Sequence, residues 1–386
     1  MSASGSLERS ALDELGQILL FPAERSADVA AHLGLVDGLL REAIGDLTHL
    51  WQGQLREAGL ADDPGDLLAG EDLPELLFDL AAAGGKRLRP AMSYLGWVAA
   101  SGRRRGLGHA EVVRAGAALE LLHLFALIHD DVMDESDSRR GRPTVHVRAG
   151  ELHVAAAGRG GPQRFGESIA ILLGDLAHAE ADHLAGQLPE PMRRIWRVLV
   201  VELVCGQRYD LTGSACGRHD LAHARHVARS KSGAYTVERP LQLGASAAAA
   251  PEVVIASLRT YGRALGEAFA LRDDVLGVWG DPERTGKPVG DDLVSGKPTV
   301  LMALAHERLT GAAARRLRRV TTGCADPGEV EALLVDLTAA GLRGEVEDLI
   351  ATHVRTALDA LDDRVLDPLG VSQLRRIAAE IAWRDK

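Results

Sequence analysis

The chain has 386 residues, 46% of them apolar and 26% charged, and a formal net charge of −11. This composition supports a folded chain with a large core. The negative charge argues against a nucleic-acid binder that works by neutralising phosphate. Any phosphate chemistry must therefore use local basic groups against an acidic background.

The three cysteines, Cys205, Cys216 and Cys324, form no metal-like spacing, and so sparse a set suits a reducing compartment. The opening residues, MSASGSLERSALDELG, carry acids where a secretory leader has basic residues, and no long apolar segment follows. No apolar run approaches the roughly 18 residues of a membrane span. The stretch VLVVELVC is short and broken by Glu202. The expectation is a cytoplasmic protein without a membrane span.

In chain order, residues 1–25 read as a flexible N-terminus and 26–386 as a single domain. Ala, Leu, Arg and Glu recur at three- and four-residue spacing in most windows, as in AEVVRAGAALELLHLFALIHDD and MRRIWRVLVVELVCGQRYDL. Alternating β-branched runs are almost absent, and aromatics are only 4%, low for a sandwich or barrel. The fold class is all-α. Three Gly/Pro-rich stretches read as loops: residues 139–166, GSACGRHD, and GDPERTGKPVGDDLVSGKPT. Amphipathic helix returns from Thr321 to the end.

The first basic cluster is AAAGGKRLRP, which sets Lys86, Arg87 and Arg89 between a double glycine and a proline. This is an exposed turn or an anion site that the glycines let a ligand approach. Next comes LLHLFALIHDDVMDESDSRRGRPTVH, an apolar stripe that turns acidic at Asp130 and basic at Arg139 and Arg140. Asp130, Asp131 and Asp134 stand at i, i+1 and i+4, close to one helix face. A solvated helix end is the ordinary explanation of such a cluster, but these acids sit at the mouth of a core. RSKSGAYTVERP adds Lys231 and Ser232 on a helix. The second acidic stretch, FALRDDVLGVWGDPERTGKPVGDDLVSGKPT, ends an apolar helix with Asp273 and Asp274, and Lys287 and Lys297 follow. Carboxylates from two helices suit Mg²⁺, which binds through a few carboxylates plus substrate phosphates. Lysine and arginine meet the remaining phosphate oxygens.

Together, GGKRLRP, HLFALIHDDVMDESDSRRGRPTVH, GQRYDL, KSGAYT and DDVLGVWGD…GKPVGDDLVSGKPT resemble the trans-isoprenyl diphosphate synthases, over roughly residues 80 to 300. The resemblance implies one large antiparallel helical bundle around a central cavity, usually a homodimer. Asp130, Asp131, Asp134, Asp273 and Asp274 would hold Mg²⁺, three ions per active site. Arg139, Lys231, Ser232, Lys287 and Lys297 would bind an allylic diphosphate. Lys86, Arg89, His123 and Arg140 would bind isopentenyl diphosphate. Within this family the residues just before the first acids form the floor of the hydrocarbon tunnel. Phe125 and Ala126 in that place resemble the geranylgeranyl type. An ideal helical wheel sets Phe125 about 140° from Asp130 and Ala126 about 40° away, so Phe125 packing between helices is the alternative.

Two positions depart from the family pattern. Gly277 stands where the second motif ends in Asp, and Ala270 stands where Gln follows Phe. Asp281 lies too far along to replace the missing ligand. Three competing functions follow: a farnesyl diphosphate synthase, a class I terpene cyclase, and a low-activity regulatory subunit of a heteromeric synthase. DDLVSGKPT begins like a cyclase metal motif but lacks its final acid, and GGKRLRP supports a second diphosphate that a cyclase does not need.

Overall fold

The structure is a computed structural model that describes residues 27–61, 66–68, 71–139, 141–281 and 290–384. The expectation for residues 1–25 lies outside the described residues. The first helices are α1 (Ala27–Ala58), α2 (Leu73–Ala82), α3 (Leu88–Ala99), the single turn α4 (Gly102–Arg105) and α5 (His109–Met133). A two-residue hairpin follows, β1 (Ser138–Arg139) and β2 (Arg142–Pro143), then α6 (Val145–Ala155), α7 (Pro162–Gly186), α8 (Glu190–Ala215) and α9 (Leu221–Val227). A π-helical stretch, Ala228–Glu238, leads into α10 (Arg239–Ala247) and α11 (Glu252–Trp279). The rest are α12 (Asp291–Val294), α13 (Val300–Arg308), α14 (Gly311–Thr321), α15 (Pro327–Ala339), α16 (Leu342–Asp359) and α17 (Pro368–Ala382).

The helix starts follow local chemistry. The Asp72 carboxylate accepts the Leu73 N–H at 2.7 Å, and Pro74 occupies the first turn of α2. The Thr299 hydroxyl accepts the Met302 N–H at 3.2 Å to start α13. Asp326 and Glu329 form a reciprocal capping box on α15. Each cap satisfies N–H groups that have no partner inside the helix. One loop expectation is overturned. Residues 139–166 hold the whole of α6 and the start of α7, so the Gly and Pro residues mark helix ends rather than one long loop.

The contacts divide the chain into two compact units, and the division runs through α3 and α8. One unit holds residues 28–94 and 108–194. In it α5 packs along α7, and α7 also carries α6 and α2. Leu119, Leu121 and Leu122 of α5 are fully buried. This 25-residue helix is long and apolar enough to cross a membrane, although no uninterrupted apolar run of that length occurs in it. Most of its apolar window is buried inside the protein, as in the central helix of a folded core.

The other unit holds residues 95–107 and the chain from 195 onward. Its spine is α11, packed by the π-helical stretch, α10, α16 and α17. The fully buried Tyr261 donates its hydroxyl to the Leu374 carbonyl at 2.7 Å. Arg272 bonds both carboxylate oxygens of Glu347 on α16, at 2.9 and 2.6 Å.

Within the first unit, His32 is 2% exposed and stacks on Tyr94 at 4.6 Å. Neither ring nitrogen has a hydrogen-bond partner. Burial, with His109 adding like charge, lowers its pKa from 6.5 to about 4. The folded state therefore refuses a proton that the unfolded chain accepts. Stability from this group is complete above pH 6.5 and is lost as pH falls towards 4, a change of roughly 3 kcal/mol at most. His32→Phe should flatten that slope in urea unfolding measured between pH 7 and 4. An unchanged slope would acquit His32.

Candidate active site

Asp130 and Asp131 end α5, and Asp134 is its C-cap residue. Negative charge at a helix C-terminus is unfavourable, so these acids need a cation. Arg139 on β1 supplies one. Its Nε lies 2.9 Å from both Asp131 oxygens, and its Nη2 lies 2.6 Å from Oδ1. The hairpin aims it, with Arg139 opposite Arg142 and the Thr144 hydroxyl bonded to the Ser136 carbonyl at 2.8 Å. The Asp131 side chain is 8% exposed. Burial raises its pKa, and the Arg139 hydrogen bonds hold it down only in part. Burial works to lower the Arg139 pKa, but the bond to Asp131 and the charges of Asp131, Asp130 and Asp134 raise it on balance.

Upstream on α5, Phe125 is half-buried and stacks on His178 of α7 at 4.5 Å. His129 meets the same ring edge-on at 4.8 Å, and its Nε2 lies 3.0 Å from the Ile171 carbonyl. Phe125 thus packs between α5 and α7, the alternative that the helical wheel left open. His123 and Ala126 are also half-buried. In GGKRLRP the three cations separate. Lys86 is exposed and Arg89 is buried. Arg87 bonds Asp37 of α1 and Glu120 of α5, so it is a structural tie. Arg140 and Lys287 lie outside the described residues.

In the second unit, Lys231 sits on the π-helical stretch and donates to Asp210 of α8 at 2.6 Å, with half-buried Ser232 beside it. Gly206 makes room for this segment: a Cβ there would stand 2.5 Å from the Lys231 nitrogen. π-Helical turns often mark functional sites. Asp273 is exposed on α11 and accepts a bond from Arg384, whose guanidinium lies 4.2 Å from the Phe269 ring centre. Asp274 accepts the Val300 N–H at 3.1 Å, at the start of α13. Burial, then the charges of Asp292 and Asp273, hold its carboxyl well above the usual range. Lys297 is half-buried after α12. Ala270 is buried in α11 at 4% exposure, so a small apolar side chain suits that position.

Among the described residues no three acidic, His or Cys side chains are already grouped at metal-binding spacing. The acids are instead held by guanidinium groups and backbone N–H. The donor set still fits Mg²⁺. It is all oxygen, and in each unit an arginine stands on a carboxylate as a stand-in cation.

Residues 71–337 match the family model for polyprenyl synthetase. The chain belongs to the polyprenyl synthetase family. This polyprenyl synthetase is a prenyltransferase, as the sequence resemblance implied, and all-α. It is 33% identical to the geranylgeranyl diphosphate synthase of Mycobacterium tuberculosis, over 76% of this chain and 81% of that one. It is 36% identical to the geranylfarnesyl diphosphate synthase of Aeropyrum pernix, over 63% of this chain and 71% of that one. The crystal structure of geranylgeranyl pyrophosphate synthase from Corynebacterium glutamicum, complexed with isoprenyl diphosphate and magnesium, superposes with a TM-score of 0.80 at 35% identity. That match covers 90% of this chain and 98% of the other.

Sequence reasoning quoted GQRYDL but gave Asp210 no task, and it passed over Arg384 and Asp292. Asp210 was findable from its motif. Arg384 carries no local signal. Asp281 lies beyond the helix, since α11 ends at Trp279 and Gly280 caps it.

In this polyprenyl synthetase, Arg139→Leu leaves the buried Asp131 carboxylate without its partner and should cost about 3 kcal/mol in urea unfolding. Asp131→Asn combined with Arg139→Leu should recover part of that loss, a coupling of about 1–3 kcal/mol. Strict additivity would show that the pair contributes nothing.

Proposed function

We propose that this prenyltransferase condenses isopentenyl diphosphate head-to-tail with an allylic diphosphate to give all-trans geranylgeranyl diphosphate. The observation that carries this reading is α5 itself. It runs from buried leucines, past a half-buried Phe125 seated on His178, to carboxylates clamped by Arg139. The geranylgeranyl synthases of M. tuberculosis and C. glutamicum among the similar proteins support the twenty-carbon product.

Asp130, Asp131, Asp134, Asp273 and Asp274 are the proposed holders of Mg²⁺, with three ions in the active site. Bound Mg²⁺ supplies charge that stabilises the departing diphosphate. Arg139, Lys231, Ser232, Lys287 and Lys297 take the allylic diphosphate oxygens as negative charge develops on them. Lys86, Arg89, His123 and Arg140 orient isopentenyl diphosphate. The allylic C–O bond breaks, the isopentenyl double bond forms the new C–C bond, and a proton leaves to the departing diphosphate. Apolar side chains upstream of the acids keep water from the allylic cation. The same reading includes one synthase domain over 26–386, a homodimer and a cytoplasmic location. The three exposed free cysteines fit that compartment.

The deciding experiment incubates purified protein with Mg²⁺, isopentenyl diphosphate and each allylic primer in turn, then measures product chain length. A twenty-carbon diphosphate is expected. A product that stops at fifteen carbons makes the enzyme a farnesyl synthase. Cyclised hydrocarbon from the allylic diphosphate alone makes it a cyclase, and no product with any primer indicates a regulatory subunit. If Phe125 forms the tunnel floor as well as packing on His178, Phe125→Ala should lengthen the product. Unchanged chain length would remove Phe125 from that role.

A further inference from the structure

The π-helical stretch Ala228–Glu238 carries Lys231 and runs for 11 residues. π-Helical geometry occurs mostly as single turns inside α-helices. So long a run must be held by what packs on it, and α11 packs along it. Gly262 and Gly266 stand four residues apart on one face of α11. A Cβ on Gly266 would lie 2.8 Å from the Gly233 carbonyl oxygen, and one on Gly233 would lie 2.8 Å from the Gly266 carbonyl. A Cβ on Gly262 would lie 2.8 Å from the Glu238 Cα. These neighbours are backbone atoms, which cannot swing aside as a side chain can.

Ion pairs flank the two glycines in the same order. Arg229 bonds Glu267 at 3.1 Å, and the buried Glu238 lies 3.6 Å from Arg263. Close packing alone would not need these charges in register. Residues 229, 233 and 238 thus meet 267, 266 and 262–263, an antiparallel register tied at both ends and between them. α8 meets the same stretch at Gly206, where a Cβ would also stand 2.8 Å from the Ser230 carbonyl carbon. Held in this way, the Lys231 ammonium reaches Asp210 at 2.6 Å. A π-turn holds about one residue more than an α-turn, because its hydrogen bonds span i to i+5. Relaxation to α geometry would turn Lys231 away from Asp210, by about 100° for each residue of register lost.

We propose that the α11 face formed by Gly262, Arg263, Gly266 and Glu267 is a positioning element that holds this stretch in π geometry and thereby sets Lys231 on Asp210. These four residues act through Lys231 rather than on substrate. The link to catalysis rests on the function proposed above, which takes Lys231 as a ligand of the allylic diphosphate.

Brief acetylation of the full chain with acetic anhydride, read by mass spectrometry, reports on Lys231 without catalysis. The sequence holds only Lys86, Lys231, Lys287, Lys297 and Lys386, so each label is assignable. An amine bonded to a carboxylate is shielded from acylation. Gly266→Ala should raise Lys231 labelling about threefold, the scale of a partly exposed ion pair lost, and leave exposed Lys86 unchanged. Gly344→Ala on α16, whose Cβ would meet nothing within 4 Å, should change neither. Glu267→Gln removes the charge that holds Arg229 without adding bulk. It should also raise Lys231 labelling, and it decides the matter if Gly266→Ala does not fold. Unchanged Lys231 labelling in the folded variants overturns the proposal. Equal rises at Lys231 and Lys86 overturn it too, since the change is then general loosening. In turnover, Gly266→Ala should lower kcat/KM for the allylic diphosphate about 10- to 100-fold with KM for isopentenyl diphosphate unchanged. In a Lys231→Ala background it should lower kcat/KM no further. Released Lys231 with wild-type kcat/KM removes Lys231 from the reaction and leaves the positioning element standing. A wild type that forms no prenyl product sinks the proposed reaction, and the labelling still decides the positioning.

Discussion

The constraint on which the rest depends is the cost of holding carboxylates at the margin of an apolar core. A buried acid must be paired, bonded or neutralised. Asp131 is met by Arg139, Asp210 by Lys231, Glu120 by Arg87 and Glu347 by Arg272. Asp274 has backbone N–H groups instead, and its carboxyl is accordingly pushed up. The acid sets are therefore self-neutralised before any ligand arrives. On the function proposed above, metal alone would have to displace a guanidinium and diphosphate alone would leave an acid bare. The two arriving together would satisfy both, the metal at the carboxylates and the freed arginine at phosphate oxygens, which favours joint binding over either partner alone.

The apolar half of the design follows from α5. The one acid in the buried middle of this helix, Glu120, is paired with Arg87, and Asp130, Asp131 and Asp134 gather at the last turn and the cap. The one large aromatic near that end, Phe125, stacks on His178 and meets His129 edge-on. Both histidines reach carboxylates of α7: His129 lies 3.8 Å from Asp175, and His178 lies 3.8 Å from Asp182. The ring is thus tied, through two histidines, to the polar face of α7.

What the sequence disclosed divides along physical lines. Helix periodicity and local caps are short-range, so the all-α class and the positions of Asp130, Asp131, Asp273 and Asp274 could be read directly. The stretch 139–166 was misread because glycine and proline mark helix ends as readily as loops, and Val145–Ala155 lies between two such groups. The span-like length of α5 is not visible as an uninterrupted apolar run, because scattered polar residues break the run without making the helix polar. One partner set by tertiary packing left no local trace: Arg384 is 111 residues from Asp273.

The second acid pair shows how adjacent, identical residues can take different tasks. Asp273 points outward and holds a cation, Arg384. Asp274, next along the helix, turns to the Val300 N–H and caps α13 with Thr299. That cap fixes the C-terminal end of the segment that carries Asp292 and Lys297. Asp274 therefore acts on the site through the backbone as well as through its own charge. The Asp292 carboxylate, which occupies the space beside Gly277, belongs to that same segment, so its position depends on the anchor that Asp274 and Thr299 provide.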